Sequence, residues 1–300
     1  MVSIHSLKRG EVKNILSAEQ VKIITAPSSI KTFPYRSPYD GITVSHPSDL
    51  TWHQRSNSVW FTFQQLSTFE KLKHGVFSRR GGFSSPPYAE CNVSFKLGNP
   101  DDTLKNHLKL LDNIGAKEIA HMQQIHGDTV EKVSLWCKHD TAPVADAMIT
   151  ELYDLGLMVK LADCQGILIY DPVKHILGAV HSGWRGNVVN IVSKTVNEMI
   201  SSFDCKPSDI HAAFGPSLGP CCAEFRSWTD IFPKYFEQFM IMDNYFDLWA
   251  ITCYQLINAG VRPEHIELAA ICTKCNYSWF FSYRGEGETG RFAIVAFLTR

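Results

Sequence analysis

The chain has 300 residues, with 29 Lys and Arg against 30 Asp and Glu and a formal net charge of −1. That length supplies a full core for one large domain or two smaller ones, and the balanced charge, with neither sign in a long block, excludes a nucleic-acid surface built on charge. Hydrophobic residues at 45% and charged residues at 20% exclude disordered, fibrous and low-complexity chains. The N-terminal MVSIHSLKRGEVKNIL has no apolar signal-peptide core, and no stretch approaches the roughly 18–20 apolar residues that span a bilayer. Nine cysteines, an odd number, in a chain too large to need disulfide staples fit a reducing compartment. A soluble cytoplasmic protein with no membrane partner is expected.

Residues 1–60 alternate short apolar pieces with Pro and Ser, as in TAPSSIKTFPYRSPYDG and SHPSDL, and read as an irregular extension or small subdomain. Residues 61–300 read as one main domain in which strand-like and helix-like segments alternate. Asp101 is the expected N-cap of a first helix with Leu104, Leu108 and Leu111 on one face and Gly115 as its stop. Leu157–Leu161, Ile167–Tyr170 and Ile176–His181 read as strands, followed by a helix striped by Val188, Ile191, Val192, Thr195, Val196 and Met199. Ile210–Phe214 is the next strand, and Trp249, Cys253, Leu256 and Ile257 mark a third helix closed by Gly260. Ile266–Cys272, Trp279–Tyr283 and Phe292–Leu298 complete the strands, and no internal repeat is visible.

Two segments bear on chemistry. ILGAVHSGWRGNVVNIV reads as strand, glycine-containing turn and helix, which sets the turn beside unpaired helix N–H groups that suit an anion. WFFSYRGEGETGRFAIVAFL reads as two strands joined by a loop bearing Arg284, Glu286, Glu288 and Arg291, either a site rim or a solvated turn.

His126 in HMQQIHGDTV, Cys164 in KLADCQG and His181 in AVHSGWRG each fall at a strand edge or turn beside Gly or a small polar residue, where a side chain can face a cleft. Two His and one Cys suit zinc and leave a fourth tetrahedral position open, the pattern of a catalytic site. Taken singly, a free Cys is commonly a small buried apolar residue, and the spacings match no zinc-finger pattern. The same residues also compose a Cys–His nucleophile pair with Cys164 as thiolate; a metal would occupy that thiolate, so the two readings are nearly exclusive. Cys272 and Cys275 form a C-x-x-C, while Cys221 and Cys222 are adjacent. A structural zinc calls for two spaced pairs, and a redox C-x-x-C for a strand-to-helix junction, so neither is expected here.

Together these motifs resemble the YfiH family, also called the polyphenol-oxidase or laccase-domain family. The match runs from about Gly75 to the C-terminus through GVFSRRGGFS, QQIHGDTV, ADAMIT, ADC, HSGWRG, FGPSLGPCC and CTKCNYSWFFSYRGEGETGR. The resemblance implies an α+β fold of mixed β-sheets layered with helices, similar to the catalytic domain of cytotoxic necrotizing factor. It implies zinc held by His126, Cys164 and His181, which would also be the catalytic residues. It further implies phosphorolysis of purine nucleosides (adenosine, inosine, guanosine, methylthioadenosine) and hydrolytic deamination of adenosine, making the enzyme a transferase with a hydrolase activity. Phosphate must then be held beside the ribose anomeric carbon, for which Arg185 in the GWRG turn is the first candidate and Arg79 and Arg291 are further ones. Two departures stand out: KNHLK places His107 where the family usually has Arg, and Gln165-Gly166 follows Cys164 where Pro is common one residue on.

Other readings of the same residues are an editing hydrolase for cell-wall precursors, copper-dependent phenol oxidation, and a zinc-stabilised interaction protein. Two His and one Cys fall short of a multicopper constellation. A purely structural zinc predicts that metal removal melts the chain, whereas a catalytic one predicts loss of activity first.

Overall fold

The computed structural model describes residues 19–134 and 142–300; the N-terminal MVSIHSLKRGEVKNIL, expected to carry no leader, lies outside them. In chain order the elements begin β1 (Lys22–Ile24), β2 (Thr43–Ser45), β3 (Thr51–Arg55), β4 (Ser58–Thr62), α1 (Gln64–Ser67), β5 (Leu72–Phe77), α2 (Pro100–Ile114) and β6 (Glu118–His121). They continue with β7 (Val130–Lys132), β8 (Ala147–Thr150), β9 (Leu155–Leu161), β10 (Gln165–Asp171), β11 (Ile176–Ser182), α3 (Trp184–Val189), α4 (Ile191–Phe203) and β12 (His211–Phe214). The last are α5 (Trp228–Ile231), β13 (Met240–Met242), β14 (Tyr245–Phe246), α6 (Leu248–Asn258), β15 (Ile266–Ala269), α7 (Tyr283–Glu286) and β16 (Phe292–Leu298).

Two seven-stranded sheets stack face to face, with orders β1-β3-β4-β5-β16-β9-β6 and β2-β15-β12-β10-β11-β8-β7. The first is antiparallel except for β6 beside β9; the second joins β2, β15 and β12 in parallel, and β7 to β8 likewise. The period-2 alternation of a strand explains why whole strands are apolar here. In β16, Ile294, Ala296 and Leu298 face the space between the sheets, while Ala293, Val295 and Phe297 pack against Leu108 and Leu111 of α2. In β10, Leu168 and Tyr170 enter the inter-sheet core, while Ile167 and Ile169 pack under α4 and α6 with Val192, Val196 and Leu256. Four layers result, helix on sheet on sheet on helix, as the layered α+β expectation requires. Among the described residues no helix is long and apolar enough to cross a membrane.

Several expectations are corrected. The division at residue 60 runs through β4, and residues 22–62 supply β1, β3 and β4 to one sheet and β2 to the other. Short strands between Pro and Ser turns carry little periodicity of their own and are defined by their partners. The first helix is capped by Asn99, whose side chain accepts from the Asp101 N–H, because Pro100 takes the first helical position; Gly115 closes it in the left-handed region, as expected. The stripe from Val188 to Met199 belongs to two helices divided at Asn190, whose left-handed backbone ends α3 and whose side chain caps α4 through the Ser193 N–H. Trp279–Tyr283 is not a strand: the N–H groups of Trp279 and Phe280 both donate to the Asn276 carbonyl, and Phe280 and Phe281 enter the core from a turn.

Candidate active site

The His–Cys–His expectation concerns the end of the sandwich where the chain passes between its sheets. His126 lies in the 122–129 passage from β6 to β7, and Cys164 in the three-residue passage from β9 to β10. His181 is near the end of β11, paired with Gly166 of β10. The ligating atoms of the three residues all lie within 4.8 Å of one another, with Cys164 Sγ 3.7 Å from His126 Nε2. Gly183 makes room: a Cβ there would lie 2.6 Å from the Cys164 sulfur.

Asp146, fully buried at the start of β8, organises the cluster. Its Oδ1 accepts from His181 Nδ1 at 2.8 Å and from the His126 N–H at 3.0 Å. Its Oδ2 accepts from the N–H groups of Ile125 and Gly127 at 3.1 and 2.7 Å. The loop is thereby wrapped around one carboxylate, which holds His126 at φ 62°, a conformation unfavourable to a residue with a Cβ. The bond to Nδ1 leaves His181 Nε2 for the cluster, the arrangement that fixes the tautomer of a metal-ligating His. Burial raises the Asp146 pKa, but the bonds from His181, Gly127 and Ile125 outweigh it and hold the carboxyl below its ordinary value.

Burial likewise pushes the Cys164 thiol up, yet His181 and His126 bring it down to about 6. His181, pushed down by burial, is lifted to about 9 by Cys164 and Asp146. Two imidazoles and a thiol that readily gives up its proton form a donor set able to hold a metal ion.

The cluster opens into a cavity of about 820 Å³. Among the described residues, Lys96, Lys160, Arg185, Arg284 and Arg291 line it, against a single lining carboxylate, Asp163. That carboxylate is engaged by the hydroxyls of Thr273 and Ser282, each at 2.6 Å, and by the Arg284 N–H at 2.5 Å. The balance of charge in the cavity is therefore positive. Lys160 donates to the Met122 carbonyl at 2.6 Å, and burial with the nearby Lys96 lowers its pKa to about 8. Phe95, Trp184, Phe225 and Tyr283 add aromatic surface.

Of the three candidate arginines, two line the cavity. Arg185 lines the cavity with its guanidinium 4.2 Å from the Trp184 ring centroid. Arg291 lines it too, anchored by bonds from Nη1 to the Thr289 and Gly290 carbonyls, each at 2.8 Å. Arg79 is elsewhere, paired with Glu286 at 2.7 Å and bonded to the Ala89 and Tyr277 carbonyls, so its fork joins three segments. The helix N-terminus expected to suit an anion belongs to α3, a helix of six residues. His107 is buried in α2, donates from Nε2 to the Val93 carbonyl at 2.8 Å, and packs edge-on against Phe95, backing the cavity wall without lining it. Gln165 does line the cavity and ties β10 to α6 through the Leu248 carbonyl.

Asp146, Lys96 and Lys160 were absent from the sequence-derived candidates. The ADAMIT motif holds Asp146, and a carboxylate heading an otherwise apolar strand was a usable signal. Lys96 and Lys160 carry none, since single lysines are ordinary surface residues.

A family model described as "Multi-copper polyphenol oxidoreductase laccase" matches residues 73–299. A purine nucleoside phosphorylase of Bacteroides thetaiotaomicron is 28% identical over 76% of this chain and 92% of its own length. One from Corynebacterium glutamicum is 32% identical over 74% of this chain and 93% of its own. The crystal structure of the Bacillus licheniformis hypothetical protein YfiH superposes with a TM-score of 0.74 at 25% identity, over 83% of this chain and 99% of that one. The expected resemblance is upheld: this chain belongs to the laccase-like YfiH family.

Proposed function

We propose that the protein is a zinc-dependent purine nucleoside phosphorylase, acting on adenosine, inosine, guanosine or methylthioadenosine, with hydrolytic deamination of adenosine as a second activity. The carrying observation is a His–Cys–His cluster at the floor of a cavity that presents five cationic side chains. The proteins named purine nucleoside phosphorylase to which it is similar support the substrate class.

The donor set fits zinc, through His126 Nε2, Cys164 Sγ and the Nε2 that Asp146 leaves to His181. Bound there, zinc would supply a Lewis-acidic charge at an open coordination position, able to lower the pKa of water toward about 7. In phosphorolysis a phosphate oxygen bonds to the ribose C1′ as the bond from C1′ to the base nitrogen breaks, and the departing base takes a proton. Arg185, Arg291 and Arg284 are the proposed phosphate holders, since guanidinium forks match phosphate oxygens. Lys160, with a pKa near 8, exchanges protons near neutral pH and is the proposed donor to the leaving base. The aromatic side chains offer ring faces to the purine. Phenol oxidation by several coppers is not favoured, because among the described residues the one His-containing ligand group has three donors.

The test supplies zinc-replete protein and its Cys164→Ala variant with each nucleoside, with and without phosphate, and separates the products. Free base and ribose 1-phosphate should form only with phosphate and only in the unmutated protein. Absence of nucleoside turnover would overturn the reading. A second reading, a hydrolase editing cell-wall precursors, draws on the Asp146–His181–Cys164 chain, which also suits a thiolate nucleophile. Activity on amide substrates that survives complete chelation would favour it.

A further inference from the structure

Four cysteines outside this site converge on one point. The sulfurs of Cys221, Cys222, Cys272 and Cys275 all lie within 4.8 Å of one another, with Cys275 Sγ 3.7 Å from Cys221 and 3.6 Å from Cys222. Thiolates around a tetrahedral zinc with bonds of about 2.3 Å are about 3.8 Å apart, whereas disulfide sulfurs are about 2.0 Å apart. All four are free.

The sequence argued against this cluster because a structural zinc calls for two spaced pairs, and Cys221 and Cys222 are adjacent. They lie in a turn, closed by the Cys222 N–H donating to the Gly219 carbonyl at 2.9 Å, so both side chains reach the same side. The C-x-x-C also lies in a turn, with the Asn276 N–H donating to the Cys272 carbonyl at 3.1 Å. The two turns are joined by the Ser217–Cys272 bridge. Gly219 permits the approach, since a Cβ there would lie 3.0 Å from that of Cys272.

We propose that Cys221, Cys222, Cys272 and Cys275 form a second metal site, a closed tetrathiolate that holds a structural zinc ion. Binding releases the thiol protons to solvent and leaves the zinc with four sulfur ligands and no open position. Its place in the fold gives it a task. The Leu218 N–H donates to the Asp163 carbonyl at 2.8 Å, and the Thr273 hydroxyl donates to the Asp163 carboxylate. The ion therefore clamps together the two turns that hold the residue preceding Cys164.

Zinc content and cobalt-substituted absorption of the full chain test this, in the wild type, Cys164→Ala and the double variant Cys222→Ser/Cys275→Ser. Cys164→Ala should retain one zinc per chain and, with cobalt, the intense charge-transfer and ligand-field bands of a tetrathiolate. The double variant should lose those bands. If the double variant fails to fold, the Cys164→Ala measurement still decides. Cys164→Ala protein without zinc and without the cobalt bands overturns the proposal, as does an intact mass lower by two hydrogens, which would mark a disulfide.

Discussion

Replacing Asp146 by Asn keeps the shape of the side chain and removes one of its two acceptor oxygens. In the wild type each oxygen accepts two bonds, Oδ1 from His181 and His126 and Oδ2 from Ile125 and Gly127. If the new amide nitrogen faces Ile125 and Gly127, two backbone donors lose their acceptor, and neither can adapt. If it faces His181 and His126, only the His126 N–H is stranded, because His181 can change tautomer and accept. The second orientation is less costly, and it puts a proton on the Nε2 that the cluster requires. A lost buried bond to a charged acceptor is worth about 1.5–3 kcal/mol, equivalent to a fall in Tm of roughly 2–5 °C for a chain of this size. Metal affinity should fall about 10–100-fold, the usual effect of removing a His-orienting carboxylate. Thermal melts and competition titrations with a chromophoric chelator measure both. The sign with pH is also set: the folded pKa of Asp146 is depressed, so its stabilisation is present at neutral pH and lost as pH falls through that value. Wild type and variant should therefore converge in acid. An Asn variant that binds metal as the wild type does would refute this account of Asp146.

Three further substitutions separate roles. Gly183→Ala sets a methyl 2.6 Å from the Cys164 sulfur; turnover and metal affinity should fall at least tenfold, with a stability loss of about 1–3 kcal/mol from overpacking, and unchanged metal titration would contradict it. Lys160, at about 8, loses its charge as pH rises through that value, so wild-type kcat/KM should decline above it while Lys160→Met should lack that limb; identical pH profiles would remove Lys160 from the chemistry. Arg79→Ala breaks the Glu286 pair and two carbonyl bonds and should cost about 2–3 kcal/mol of stability. Its KM for phosphate should stay unchanged, and a large rise would return Arg79 to the binding set.

What the sequence disclosed follows from what is local. The strands at 157–161, 167–170, 176–181 and 292–298 were readable because each is a dense apolar run covered on both faces, and Gly115 was readable because it ends a helix in the left-handed region. The aromatic run at 279–283 misled because burial of Phe280 and Phe281 demands apolarity without dictating an extended backbone. His126, Cys164 and His181 drew attention through residue type and glycine neighbours, but their convergence depends on sheet stacking, which no window of sequence contains. The cysteine cluster was missed for the same reason: local spacing argued against it, and two turns joined across the fold assemble it.

The location of the cavity follows from how the chain changes sheets. A hairpin within one sheet, such as β10 to β11, bridges neighbouring strands, but a passage between stacked sheets spans about 10 Å and leaves irregular backbone at the end of the sandwich. Three passages meet at one end: 122–129, 162–164 and the segment from β15 to β16. Leu161 pairs with Phe292, so the last two begin and finish side by side. All three contribute to the cavity, His126 from the first, Asp163 and Cys164 from the second, and Tyr283, Arg284 and Arg291 from the third. The shortest has three residues in which to change sheets, and Asp163 takes φ 88° to do so. That strained turn is held by Thr273, Ser282 and the Arg284 N–H, all from the third passage. The proposed tetrathiolate anchors the third passage at Cys272 and Cys275, which makes it a remote support for the position of Cys164. Loss of that ion should therefore loosen the His126–Cys164–His181 cluster before it unfolds the sheets, whose cores lie between and outside the strands rather than at their ends.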